Sequence, residues 1–233
     1  MVRTVLIVLC LAGLAWAEPV VQEPKSIVSQ YVAASNAQKG RRPAVSMFVD
    51  IAAKVPKLGK YGRLRALRQV SSLGRITYQA LSFEGDRAVK NNVIARYLSA
   101  EVQSAASSDS TAITPENYKF KFKGRREAGE REVYCFLVTP RKKAPGMFRG
   151  ELWVDSETYL PVRESGRLVK NPSILLRKVE FVREYAIKDG MSVPHRMESV
   201  VETRMVGSAQ LTVDYSDVSV TDDSAATASD SLL

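Results

Sequence analysis

The residue types that carry most enzyme chemistry are scarce in this sequence. His195 is its single histidine, and it follows Pro194 in a segment that alternates like a strand. No G-x-S-x-G nucleophile motif accompanies it, and no glycine-rich loop that would hold a phosphate is present. Carboxylates are scattered along strand-like segments, without a spacing that would force two of them together. The sequence therefore predicts no catalytic residue and a protein that is not an enzyme.

Metal and cofactor sites are not predicted either. One histidine and two cysteines, Cys10 and Cys135, cannot supply the common zinc ligand sets. Cys10 lies in a predicted leader, so Cys135 would have no partner for an intramolecular disulfide in the mature chain. Its setting, VYCFLV, is typical of a small buried apolar residue. We expect no metal and no cofactor.

Arg96 is a candidate for contact with a ligand. It lies seven residues after Val89 in a segment with a helical apolar stripe, which places it about 20° from Val89 around the helix axis. A guanidinium there extends to water, pairs with a buried carboxylate, or contacts the anionic head group of a ligand. The third alternative is our hypothesis for Arg96.

Leu58 is a candidate for contact with a membrane. It stands between Lys57 and Lys60 in the turn PKLGKYG. Either this is an ordinary turn, or the leucine side chain inserts into an anionic membrane surface while the lysines contact the lipid head groups.

The first residues read as a targeting segment. Arg3 precedes an apolar run over residues 5–14, and Ala15-Trp16-Ala17 provides a small-x-small cleavage site. The run is shorter than the roughly 20 residues of a membrane-spanning helix. A lipoprotein signal ending at Cys10 is the alternative, disfavoured because the bulky Leu9 precedes it. We predict a signal peptide over 1–17 and an exported protein, periplasmic in a cell with two membranes.

Composition divides the remaining chain. We predict a linker over residues 18–24, one β-rich domain over residues 25–220 and a disordered acidic tail over residues 221–233. The formal charge is +9, and residues 18–220 carry about +11 once Arg3 and the three aspartates of the tail are set aside. A basic exported domain could meet anionic lipids, cell-wall polymers or nucleic acid, or simply be soluble. We expect no nucleic-acid partner, because the aromatic residues among the lysines of 118–123 alternate as core residues do.

Two helices and about ten strands follow from the periodicity. Residues 25–39 predict the first helix, and a second one starts at Asp86, which is placed to cap it, and decays near residue 106. The rest alternates with period 2, and nearly every strand has one apolar face. At about 4.8 Å per strand the sheet is roughly 48 Å wide, whereas a helix about 10 Å across covers only two strands. We therefore expect a strongly curved antiparallel sheet, an unclosed barrel, with two helices on its concave side.

A curved sheet of this width has room for a ligand. About eight strands already fill their own interior, so ten leave an apolar cavity unless helices occupy it. The alternative is a sandwich of two packed sheets with a filled core. The predicted cavity is lined by Met47, Val49, Ile51, Tyr97, Phe120, Phe122, Leu152, Val154, Leu160, Val162, Phe181, Leu211 and Val213.

Four segments resemble a known group of proteins. FLVTPRKK, GELWVDSETYLPVRESG, YAIKDGMSVPHRMES and LTVDYSDV, within residues 26–220, are similar in hairpin pattern to the outer-membrane lipoprotein-sorting (LolA-like) superfamily. The resemblance implies an unclosed barrel lidded by helices, which carries acylated lipoproteins or other lipids between membranes. No lid residue of the carriers is matched, and the lipid-attachment cysteine of the receptor-type relatives is missing.

The sequence as a whole predicts a carrier or binding protein. It would hold a lipid or an acylated lipoprotein in the apolar cavity, touch an anionic membrane surface transiently and act as a monomer. The alternative is a structural or interaction module of the cell envelope, with a filled β core and a basic surface.

Overall fold

The computed structural model describes residues 23–41, 43–106, 108–205 and 207–221. The predicted signal peptide, the linker up to residue 22 and the tail from residue 222 lie outside the described residues, so they stay predictions. Pro24, the last residue of the predicted linker, begins the first helix. Among the described residues, no helix has both the length and the apolar character needed to cross a membrane.

Ten antiparallel strands form one sheet that does not close into a barrel, which confirms the predicted fold class. Along the sheet their order is β3-β2-β1-β10-β9-β8-β7-β6-β5-β4. Their bounds are β1 Ala44–Val55, β2 Lys60–Val70, β3 Ile76–Gly85, β4 Tyr118–Ala128, β5 Arg131–Pro140, β6 Phe148–Asp155, β7 Pro161–Leu168, β8 Leu176–Lys188, β9 Met191–Thr203 and β10 Ser208–Thr221.

The helices fall into two groups. The first is α1, Pro24–Arg41. The second runs from α2, Arg87–Val89, through a π-helical turn, Lys90–Ile94, into α3, Ala95–Ala106, and we call it the second helical segment. A single turn, α4, follows at Ser108–Thr111. The predicted cap is confirmed, because the Asp86 carboxylate accepts the backbone N–H groups of Ala88 at 2.7 Å and Val89 at 3.2 Å.

Both helical groups cover the same face of the sheet. Phe181 packs in the cluster under α1, and Met197 packs in the cluster under the second helical segment. Arg183, two residues after Phe181 on β8, lies directly opposite Met197 on β9. Residues two apart on a strand, and residues directly opposite across a pair, share a face. One face, the concave one, therefore carries both helical groups.

A pair of glycines brings β6 and β7 together. Gly150 and Gly166 lie directly opposite each other. A Cβ added at Gly150 would stand 1.9 Å from the Ser165 carbonyl oxygen, and one added at Gly166 would stand 2.4 Å from the Arg149 carbonyl oxygen. Only residues without a side chain permit this approach.

The turn between β6 and β7 is held by a buried carboxylate. Alternation predicts Asp155 on the outer face, and its register opposite Val133, next to the inward pair Val154 and Tyr134, places it there. It is nevertheless only 1% exposed. Its Oδ1 accepts the N–H of Thr158 at 2.8 Å, and Arg131 Nη1 donates to its Oδ2 at 3.0 Å. Burial would raise the pKa of Asp155, yet these hydrogen bonds hold it below its usual value. The turn needs an acceptor for its N–H groups, and the turn residues and Arg131 bury the carboxylate that provides it.

Candidate functional site

The concave face carries two separate apolar clusters. The first lies under the second helical segment, which buries Val89 and Ile94 in it. The second lies under α1, which buries Ile27 and Tyr31 in it, and it is rich in aromatic rings. We call this second cluster the aromatic slot. Its strand members include Tyr118, Phe120, Phe122, Tyr134, Phe136, Phe148, Leu152, Val154 and Phe181.

The residues predicted to line a cavity divide between these clusters. Met47, Val49, Ile51, Leu211 and Val213 are buried in the first cluster, and Tyr97 packs half-buried against it. Leu152, Val154 and Phe181 are buried in the aromatic slot, and Phe120 and Phe122 pack half-buried against it. Leu160 is buried and Val162 half-buried outside both clusters. Each helical group thus packs against part of the predicted lining, and the lining role of these residues stays a prediction.

The helix α1 is held to the sheet by few contacts. Of its eighteen residues only Ile27 and Tyr31 are buried. The Tyr31 ring centroid lies 6.4 Å from that of Phe120, and burial raises the pKa of the Tyr31 phenol. Near its end Gln38 accepts the backbone N–H of Ser192 at 2.8 Å and donates to the Ser192 carbonyl oxygen at 3.1 Å.

Polar side chains lie between the two clusters. Arg183 on β8 is directly opposite Glu164 on β7, and its Nη1 donates to Glu164 Oε2 at 3.2 Å. The guanidinium carbon lies 4.5 Å from the centre of the Phe181 ring. The protein around Arg183 partly desolvates its guanidinium, which opposes the charge, but Tyr185 and Glu164 hold the pKa of the guanidinium above its usual value. Burial and the Glu164 carboxylate raise the pKa of Tyr185.

The Arg183 side chain is 48% exposed, whereas that of Glu164 is 12% exposed. Since Arg183 faces the concave side, its exposure is to the space inside the curve of the sheet. Tyr97 of α3 lies close enough for its phenol to raise the pKa of the Arg183 guanidinium. A charged donor therefore borders the aromatic slot and is open to solvent.

A second polar group fastens α3 to the sheet. Arg68 on β2 donates from Nε and Nη2 to Glu101 Oε1 on α3, at 3.1 and 2.8 Å. The hydroxyl of Tyr78 on β3 donates to the other oxygen of Glu101. Burial and the Glu101 carboxylate raise the pKa of Tyr78. We call Arg68, Tyr78 and Glu101 the α3 latch.

Arg96 and Leu58 are both exposed. Arg96 does not lie on the buried side of its helix, because the π-helical turn Lys90–Ile94 inserts extra backbone between Val89 and Arg96 and rotates the arginine away. Its head-group role stays a prediction. Leu58 ends a single 3₁₀ turn, Pro56–Leu58, and is about half exposed.

The residues considered for chemistry are dispersed. His195 is exposed on β9, and Cys135 is buried on β5, where burial raises the pKa of its thiol. Within the described ranges, no group of three or more His, Cys, Asp or Glu side chains is placed to hold a metal ion.

Arg183 and Glu164 are candidate site residues that the sequence analysis does not single out. Alternation alone could have indicated both residues. Phe181 is predicted to face inward, and Arg183, two residues later on the same strand, shares its face. On β7, Val162 is predicted to face inward, and Glu164 is two residues later.

The chain is similar to several proteins of known structure. A DUF1329 family protein from Desulfovibrio piger is 12% identical, with 84% of this chain and 92% of that chain covered and a TM-score of 0.44. An outer membrane lipoprotein-sorting protein domain from Vibrio parahaemolyticus is 13% identical, with 83% and 93% covered and a TM-score of 0.43. A LolA superfamily protein from Nitrosomonas europaea is 12% identical, with 85% and 93% covered and a TM-score of 0.37.

Two of these structures are of the kind that the sequence resemblance indicated. At identities of 12–13% and TM-scores below 0.5, the similarity carries no argument about ligand or activity. No protein-family model and no curated protein sequence matches the chain.

Proposed function

We propose that this protein is an exported, non-enzymatic carrier that binds a lipid or an acylated lipoprotein by placing an acyl chain in the aromatic slot. The observation that supports this best is the weak attachment of α1 over a large apolar cluster. Eighteen helical residues contribute two buried side chains to a slot that the strands line with aromatic rings. An acyl chain can replace such a cover.

The magnitudes favour this exchange. Exposing a large apolar side chain costs about 1.5–3 kcal/mol, so lifting Ile27 and Tyr31 costs about 3–6 kcal/mol, and the half-buried Val28 and Val32 add about 1.5–3 kcal/mol together. Each buried methylene of an acyl chain returns about 0.8 kcal/mol, so roughly eleven methylenes offset the loss. Common membrane acyl chains are longer than that. Movement of α1 would therefore both admit and release the ligand.

We call the state in which α1 lies over the aromatic slot the covered state. Gln38 provides the test, since its two hydrogen bonds to Ser192 stabilise this state and Gln38 itself is not part of the slot. The Gln38→Ala variant is expected to bind palmitate about tenfold more tightly than the parent, because the competing covered state loses about 1–3 kcal/mol. Affinity is measured by displacement of a neutral naphthylamine probe that fluoresces in apolar surroundings.

Gln30→Ala is the matched control, since Gln30 lies on the same helix and hydrogen-bonds only to Ser26 one turn away. It should bind palmitate like the parent. Equal or weaker binding by Gln38→Ala would count against α1 as the cover. If the parent binds neither the probe nor palmitate, and native mass spectrometry of protein from its own cells finds no retained lipid, the alternative of a structural or interaction module is favoured.

We also propose that one end of the sheet touches an anionic membrane. Leu58 lies in the β1–β2 turn, Ile174 in the β7–β8 loop and Met205 in the β9–β10 turn, and all three are exposed. Arg204 ties two of these loops together, because its backbone N–H and its Nε donate to the carbonyl oxygens of Leu175 and Ile174.

Cations surround these apolar tips. The Lys57 side chain lies against Gly207 of the β9–β10 turn. A groove of about 460 Å³ at the same end is lined in part by Lys143, Arg149, Arg167, Arg177 and Lys178. Basic residues near an anionic surface contribute about 1 kcal/mol each, and apolar tips add insertion into the interface.

Ile174→Glu is expected to weaken binding to phosphatidylglycerol vesicles about tenfold in co-sedimentation, because an apolar contact is replaced by a like charge. Leu58→Glu should act in the same direction. Leu73→Glu is the control, since Leu73 is as exposed as Ile174, at 86%, but lies in the β2–β3 turn at the opposite end of the sheet. Equal pelleting of all four proteins would exclude this contact.

A further inference from the structure

Two arginines stack on rings of the aromatic slot, whereas Arg126 and Arg163 stack on Trp153, on the outer face. Arg125 lies over Tyr134 on the edge strand β4, where Glu132 is 3.5 Å away. Arg183 stacks on Phe181 of the slot and lies directly opposite Met197 of the first cluster, so it stands between the two clusters. A cation at the border of an apolar site loses hydration and requires a partner.

Its protein partner satisfies only part of the guanidinium. Glu164 accepts a hydrogen bond from Nη1, and a guanidinium has five N–H donors in a fixed planar fork. No other hydrogen bond or ion pair of Arg183 is found among the described residues. The side chain is 48% exposed, so solvent or a ligand reaches it from the space inside the sheet. This half-satisfied fork is the geometry that binds carboxylate or phosphate oxygens in a bidentate way.

Phenol groups surround the same point. Tyr185 follows Arg183 on β8, and its phenol lies near Glu164 and Tyr31. On the α3 side, the hydroxyl oxygens of Tyr97 and Tyr215 lie 3.2 Å apart. Phenol groups donate hydrogen bonds to anionic oxygens and add no negative charge at neutral pH. Glu164, already paired with Arg183, is the carboxylate that a ligand would meet here.

We infer that Arg183 binds the anionic head of the ligand whose acyl chain occupies the aromatic slot. The ligand class is then an acidic amphiphile, an acyl chain that ends in a carboxylate or a phosphate. This inference rests on the proposed function, since it requires a chain in the slot. It assigns to Arg183 the contact that the sequence suggested for Arg96.

The test compares ligands that share a chain and differ in charge. Palmitate is compared with palmityl alcohol, and lysophosphatidic acid with monoacylglycerol, by displacement of the neutral naphthylamine probe. The parent protein is expected to prefer the charged member of at least one pair by about tenfold, the value of one charge-assisted hydrogen bond. The pair with the preference tells a carboxylate from a phosphate.

Arg183→Gln should abolish this preference and leave the affinity for the neutral member unchanged, while Arg183→Lys, which keeps the charge, should retain part of it. Arg163→Gln is the matched control. Arg163 also lies over an aromatic ring, 4.7 Å from the centre of Trp153, and faces a carboxylate, Glu184, at 3.8 Å. It lies on the outer face, so its loss should leave the preference intact.

The outcomes separate the two proposals. If the parent binds all four ligands without preference, or if the preference survives in Arg183→Gln, the role of Arg183 is excluded and the acyl-binding slot stands. If the parent binds none of the ligands or the probe, the proposed function fails and this inference fails with it. Thermal unfolding of each variant shows whether a lost preference reflects a lost fold.

Discussion

Replacement of Gly150 with alanine is expected to lower the free energy of unfolding by about 3–5 kcal/mol. The added Cβ would stand 1.9 Å from the Ser165 carbonyl oxygen and 2.5 Å from the Gly166 Cα. Both are backbone atoms of the paired strand, so no side-chain rotation relieves the overlap. The two strands must separate, and ladder hydrogen bonds between β6 and β7 are lost. Urea unfolding followed by circular dichroism measures the change.

Gly40→Ala is the matched control for this experiment. Gly40 lies in α1, and no atom stands within 4 Å of a Cβ added there. Alanine is the better helix former, so this variant should be more stable than the parent by about 0.5–1 kcal/mol. An unfolding midpoint for Gly150→Ala close to that of the parent would contradict the tight approach of β6 and β7.

Glu101→Gln is expected to destabilise the protein by about 3 kcal/mol and to free α3 from the sheet. The Arg68 side chain is 9% exposed and that of Glu101 21%, so loss of the carboxylate leaves a buried guanidinium without its counter-charge. Tyr78 loses the charged acceptor of its hydroxyl at the same time. Hydrogen exchange of α3 amides, together with urea unfolding, measures both effects.

An ion pair between β2 and β1 gives the control. Arg63 on β2 donates from Nε and Nη2 to Asp50 on β1, both at 2.7 Å, but this pair is on the outer, solvent-facing side. Asp50→Asn should cost less than about 1 kcal/mol. Equal losses for Glu101→Gln and Asp50→Asn would show that the α3 latch is no stronger than a surface pair. The double variant Arg68→Met, Glu101→Leu should recover part of the stability, because no buried charge is left unpaired.

The strands could be predicted because alternation and turn residues are local signals. The alternation in GRLRALRQV is enough to predict a strand over residues 62–70, and β2 is Lys60–Val70. The dipeptide Asp189-Gly190 is typical of a hairpin turn, and this turn joins β8 to β9. The first helix, predicted over 25–39, is Pro24–Arg41. Burial on one face repeats every second residue, and this repetition needs no knowledge of the partner strand.

The site was harder to predict because it depends on contacts between distant segments. No sequence pattern in residues 87–106 predicts the π-helical turn, and this turn moves Arg96 outward. The strand count could not tell how far helices fill the interior, and α1 covers the aromatic slot with Ile27 and Tyr31 although its sequence has little amphipathic character. Asp155 keeps the face that alternation predicts but is buried, because the turn uses its oxygens and Arg131 packs on it. Tertiary contacts decided each of these positions.

Among the described strands, each neighbouring pair in the sheet is consecutive along the chain except one, the pairing of β1 with β10. Hairpins between consecutive strands close short loops and form early, whereas a pairing that joins the first strand to the last requires closure of nearly the whole domain. During synthesis β1 therefore cannot complete its pairing until β10 has left the ribosome. Until then the sheet formed by β1, β2 and β3 has an unpaired edge at β1, and the chain completes its fold only after translation of the domain has ended.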